Sequence, residues 1–98
     1  MTRESIIATL KAREPDLRRL GVRHIALFGS AARGEATEAS DIDILVDLQP
    51  DAPIDAFAYV GLTQFIADLF PVPVDVANHA RVKPHVRPSA EREAVYAF

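Results

Sequence analysis

The sequence contains no cysteine, so disulfides and thiolate metal sites are excluded. That suits a reducing compartment, and a cytoplasmic location is expected. No run of about 20 consecutive apolar residues occurs, so no membrane-spanning helix is expected. The opening stretch, MTRESIIATLKAREPDL, has no apolar segment of signal-peptide length. A basic surplus is also missing. The formal net charge is −3, which argues against DNA or RNA as the main partner. Internal repeats and low-complexity segments are absent. Length is short as well: 98 residues suit one domain over 1–98 and leave little for a second substrate-binding module. His24, His79 and His85 lack metal-ligand spacing such as H-E-x-x-H and read as ordinary histidines.

What is present is ordinary globular composition, 49% apolar and 26% charged. Ile6, Ile7, Leu10, Leu17 and Leu20 recur at roughly helical spacing, which predicts an amphipathic helix over 4–20. Pro15 predicts a break or a fresh helical turn inside it, and Gly21 closes it. VRHIALF, residues 22–28, reads as a buried strand. Gly29-Ser30 ends it, AARG (31–34) forms a helical turn, and 35–40 is a polar loop. A second strand is expected over 41–48 and a loop over 49–53. Ile54, Phe57, Ala58, Leu62, Phe65, Ile66 and Leu69 predict a helix over 54–70, stopped by Pro71. Phe57, Phe65 and Phe70 are expected in the core. A short strand follows over 72–77, with Pro73 at a sheet edge or at the strand's start. Pro84 and Pro88 limit helix in the tail, but SAEREAVY (89–96) suits a short helix capped by Ser89. The order of helix, strand, strand, helix, strand, helix predicts an α/β (α+β) fold, a small mixed β-sheet flanked by helices.

The informative stretch is GSAARGEATEASDIDILV, Gly29 to Val46. A strand running into Gly29-Ser30 and then a helical turn brings free N–H groups and a hydroxyl within reach of a phosphate. A Gly-Ser dipeptide by itself is more often a plain tight turn with a capping serine. Asp41 and Asp43 are two apart on a strand, so they share a face about 7 Å apart. Ile42, Ile44, Val46 and Leu48 take the opposite, core-facing side. Two neighbouring carboxylates suit a hard divalent cation shared with substrate phosphates; the alternative is a solvated strand face. Asp47 lies further along that face and reads as a solvated side chain. Asp75 interrupts the apolar run VPVDVA, where an unpaired buried carboxylate is costly. It either faces solvent on an edge strand or, if its strand lies beside 41–48, joins the other two. A phosphate-holding turn, a carboxylate pair and a third carboxylate are together what two-metal phosphoryl chemistry requires.

Gly29-Ser30, ten residues, then Asp41-x-Asp43 resembles the signature of the polymerase-beta-like nucleotidyltransferase superfamily. Arg33-Gly34 and Ser40 make the sequence similar to the minimal nucleotidyltransferases, the small partners of HEPN-domain toxins in prokaryotic toxin–antitoxin pairs. Asp75 falls where that family's third carboxylate is expected. The resemblance implies a nucleotidyltransferase fold, with Gly29, Ser30, Arg33 and Ser40 on the nucleotide. It implies that Asp41, Asp43 and Asp75 are catalytic and bind Mg²⁺, two ions in all. ATP would be the substrate and a tyrosine hydroxyl of a HEPN toxin the acceptor, the two proteins forming a hetero-oligomer.

Two other functions fit the same residues: neutralisation of a partner by binding alone, and nucleotide transfer to a small molecule, for which the chain has no acceptor domain. Arg33 could contact phosphates or pair with Glu35 or Glu38. Arg81, Lys83 and Arg87 form either a solvated face or a basic edge for triphosphate or an acidic partner. Tyr59 and Tyr96 are read as packing residues.

Overall fold

Pro15 divides the N-terminal pattern in two. In a computed structural model, which describes residues 2–34, 41–51, 54–79 and 93–98, α1 spans Arg3–Ala12 and α2 spans Glu14–Arg19. Thr2 and Ser5 cap α1 reciprocally: each side-chain oxygen accepts from the other's backbone N–H, at 3.0 and 3.1 Å. Such a cap contributes about 1 kcal/mol. Pro15 sits in the first turn of α2, where its missing N–H has no helical partner to lose.

The chain then forms β1 (Val22–Phe28), α3 (Gly29–Ala32), β2 (Ile42–Leu48), α4 (Ala56–Ala67), β3 (Val74–Asn78) and β4 (Val95–Tyr96). The sheet order is β3-β2-β1-β4. β1 runs antiparallel to β2 and to β4, while β2 and β3 are parallel. The sheet is therefore mixed, as expected. A parallel pair needs a crossover, and α4 supplies it. Pro73 precedes β3 directly and β3 is an edge strand, so both readings of that proline hold. Its carbonyl still accepts from Ile42 N–H at 3.0 Å.

Ile25 and Leu27 of β1 and Ile42, Ile44 and Val46 of β2 pack with Ile6, Leu10, Leu17, Leu62 and Ile66 in one cluster. Each such side chain contributes roughly 1.5–3 kcal/mol on burial. The even-numbered residues of β2 thus face the helices, and Asp43, Leu45 and Asp47 take the other face. Leu45 is buried there too, outside the main cluster. Among the described residues, no helix is long and apolar enough to cross a membrane.

Several expectations need correction. The third strand begins at Val74 rather than at residue 72, and the helical turn after β1 begins at Gly29 itself. α4 is shorter than 54–70, because Asp55 caps it by accepting from Ala58 N–H at 2.7 Å. Phe57 is not in the core but 89% exposed. Leu62 and Ile66 define the buried stripe, and Phe57, five residues before Leu62, projects away from it. Phe65 is half-buried and Phe70 buried. The expected helix over 89–96 fails at its end. Val95 and Tyr96 are a strand opposite Leu27 and Ala26, since the open edge of β1 offers backbone partners to a β-branched and an aromatic residue. Glu93 is helical as expected, Ala94 is not, and 89–92 lie outside the described residues.

Candidate active site

β1 delivers the chain to the site. Its last residue, Phe28, stands opposite Asp43. Gly29 then takes φ of 66°, and a Cβ on it would lie 2.6 Å from Asp43 Oδ2. Glycine is required twice over at this position, by backbone conformation and by space. Arg33 N–H donates to the Gly29 carbonyl at 3.3 Å and closes the α3 turn that contains Ser30.

Two side chains hold this turn from outside. Arg3 of α1 donates through Nη1 to the Ala32 carbonyl at 3.2 Å. Arg33 Nη1 lies 3.6 Å from Glu93 Oε2, a partner not among those considered from sequence. Glu35, Glu38 and the expected nucleotide contact Ser40 lie outside the described residues, as do Arg81, Lys83, His85 and Arg87. Arg3 was missed because the bond joins residues 29 apart, and no local pattern signals it.

Parallel pairing sets Asp75 directly beside Asp43, with neighbouring strands about 4.8 Å apart. Both point away from the helical layer. Asp41 is exposed just before β2. Burial, then the charge of Asp75, then that of Asp41 push the Asp43 carboxyl above the usual carboxylate range. Among the described residues, no three His, Cys, Asp or Glu side chains close on a common point that could hold a metal. The three aspartates instead share an electrostatic field centred on Asp43. Their chemistry fits a hard divalent cation: the donors are oxygens, their like charges favour neutralisation, and the missing Cβ at Gly29 leaves Asp43 uncrowded.

The other sequence candidates have structural partners. Asp47 pairs with Arg23 at 2.8 Å. His24 meets the Tyr96 ring edge-on at 6.2 Å. Tyr59 packs against the core cluster.

Residues 6–97 match the model of the nucleotidyltransferase domain. The chain belongs to the nucleotidyltransferase domain family. This nucleotidyltransferase is 37% identical over 97 residues to the protein adenylyltransferase MntA of Thermococcus cleftensis, across 98% of this chain and 96% of that one. It resembles a solved structure assigned to the minimal nucleotidyltransferases with TM-score 0.81 and 32% identity, covering 97% of this chain and 95% of the other. A crystal structure of a toxin–antitoxin with AMP-PNP shares the fold, with TM-score 0.69 and 23% identity over 90% of this chain and 72% of that one. The nucleotidyltransferase is accordingly an enzyme, and its mixed sheet flanked by helices is that family's fold.

Proposed function

We propose that this single-domain nucleotidyltransferase moves AMP from ATP to a tyrosine hydroxyl of a HEPN-type toxin in the cytoplasm and so acts as its antitoxin. The observation that carries this reading is the juxtaposition of Asp43 and Asp75 in register, with Gly29 against Asp43. The similarity to an archaeal protein adenylyltransferase supports protein as the acceptor class. The fold shared with a toxin–antitoxin bound to AMP-PNP supports ATP and a toxin partner.

Gly29 and Ser30 hold the triphosphate, where the strand-to-helix turn exposes N–H groups, with Arg33 and Ser40 as further nucleotide contacts. Asp41, Asp43 and Asp75 would hold Mg²⁺, with phosphate oxygens of the substrate completing its coordination. When bound, Mg²⁺ neutralises charge on the triphosphate and on the departing pyrophosphate. The acceptor oxygen forms a bond to the α-phosphorus. The bond from that phosphorus to its bridging oxygen breaks, and pyrophosphate leaves with the electron pair. Asp75 receives the phenolic proton. Fixing both reactants in line accounts for most of the rate gain in such chemistry.

The test is incubation with Mg²⁺, the partner and ATP labelled at the α- or γ-phosphate, with an Asp41→Asn/Asp43→Asn protein as control. Label from the α position alone on the partner, absent in the control, supports the proposal. Binding of the partner without transfer of either label would replace it with neutralisation by masking.

A further inference from the structure

The twelve residues of α4 include no charged side chain. Its inner stripe, Leu62 and Ile66, is buried, yet Phe57 is 89% and Val60 63% exposed on the outer side. Thr63 and Gln64 are the polar exceptions besides the Tyr59 hydroxyl, and a helix so largely apolar is ordinarily covered on more than one side. The outer side also has relief. A groove of about 470 Å³ runs along one flank, lined by Leu20, Ile54, Ala58, Gly61 and Phe65, with Arg19 at its side. A second, of about 240 Å³, lies on the other flank beside Asp55, Tyr59 and Val60. Phe57 stands on the ridge between them. Gly61 sits at mid-helix, where glycine weakens the helix relative to alanine. A Cβ there would meet nothing within 4 Å, so packing within the chain does not call for glycine. The vacancy suits close approach of a backbone from outside.

We infer that this face is an isologous interface with a second copy of the chain. Charge favours that occupant. Each copy carries net charge −3, so two copies meet most easily through α4, which has no charged side chain, and the charges beside it, Arg19 in one groove and Asp55 in the other, are of opposite sign. An acidic or basic partner would instead call for opposite charge on the face. Shape favours it too, because ridge and groove lie on one helix. A two-fold axis near Gly61, the middle of α4, sets residues equidistant from Gly61 against one another. Phe57 of each copy then meets the Ala58, Gly61 and Phe65 groove of the other, a ridge-into-groove crossing. Interfaces between identical subunits are also more apolar than those with exchangeable partners, and two-fold dimers are the commonest assemblies. The grooves include Gly21 and Leu48, at the end of the sheet where Val22 pairs with Leu48. Phe28 and Asp43 pair at the opposite end, so both active sites stay open. None of this depends on the substrate.

Sedimentation equilibrium of the purified chain over a wide concentration range tests the inference, with Phe57→Glu and Gly61→Leu as variants. Far-UV circular dichroism and thermal melts check that each variant folds. The wild type is expected to rise from the monomer mass of 10.7 kDa toward twice that value with concentration. Both variants are expected to stay monomeric and keep the wild type's far-UV spectrum, because neither position is packed within the chain, and their melting points, unlike the wild type's, should not rise with concentration. A wild type that stays monomeric throughout would overturn the inference, and so would a dimer that survives both substitutions. Loss of partner-protein binding in Phe57→Glu, with a monomeric wild type, would assign the face to that partner instead.

Discussion

Gly29 and Asp43 occupy each other's space: a Cβ on residue 29 would fall 2.6 Å from Asp43 Oδ2. The turn that follows β1 and the carboxylate on β2 therefore form one unit. Gly29→Ala must strain a backbone at φ of 66°, which costs about 1–2 kcal/mol, and must also displace the Asp43 carboxylate. Nucleotidyl transfer should fall much further than stability does. Denaturant titration beside a transfer assay checks this. A Gly29→Ala protein with normal turnover would refute the tight coupling of turn and carboxylate.

Asp43 has a pKa raised by burial and by Asp75 and Asp41. A carboxyl whose folded pKa exceeds its unfolded one keeps its proton in the folded state over a window where the unfolded chain has lost it. Stability contributed by this group therefore falls as pH rises through that window, from the ordinary aspartate range up to the raised value. Above the window the ionised Asp43 opposes folding. Without divalent ions at neutral pH, Asp43→Asn should melt higher than the wild type, and the gap should close as pH drops below the window. Melts across a pH series measure it. A variant that melts lower than wild type at neutral pH would show that repulsion does not dominate at this residue.

The proposed Mg²⁺ site reverses that ranking. Ligand binding to the folded state adds about 2.7 kcal/mol at a hundredfold excess over Kd. Mg²⁺ should raise the wild-type melting point and leave Asp41→Asn/Asp43→Asn unmoved. Equal shifts in both proteins would place the ion elsewhere.

Arg3 is 40% exposed at its side chain, yet it ties α1 to the Ala32 carbonyl at the end of α3. Its role is expected to be positioning the turn. A hydrogen bond from a charged donor is worth about 1.5–3 kcal/mol, less at this exposure. Arg3→Ala should raise KM for ATP by roughly 3- to 10-fold, with kcat little changed, and Arg3→Lys should recover part of the loss. Steady-state kinetics distinguish this from simple destabilisation, which lowers the active fraction without moving KM.

Much of the site was legible because alternation is a short-range property. Asp43 had to face away from Ile42, Ile44 and Val46 once 41–48 was a strand, and Pro73 marked both the start of β3 and its edge position. Pairing in register was not legible: nothing local states that Asp75 lies beside Asp43 rather than one residue off. Phe57 misled for a related reason. Helical periodicity shows that apolar residues share a face but not which face a second surface will cover. Val95 and Tyr96 follow a helix-forming string, and only the open edge of β1 turns them into a strand. Arg3 and Glu93 reach the turn from distant parts of the chain, and no periodic pattern encodes such contacts.

Intact-mass spectrometry of a HEPN-type partner, after incubation with the enzyme, ATP and Mg²⁺, tests the central claim most directly. The account predicts a gain in partner mass of one or more AMP units, located on tyrosine by fragmentation, and a drop of about 100-fold or more in its rate with Asp41→Asn/Asp43→Asn. A partner that is neutralised while its mass stays unchanged, or modified equally by the double mutant, would contradict it.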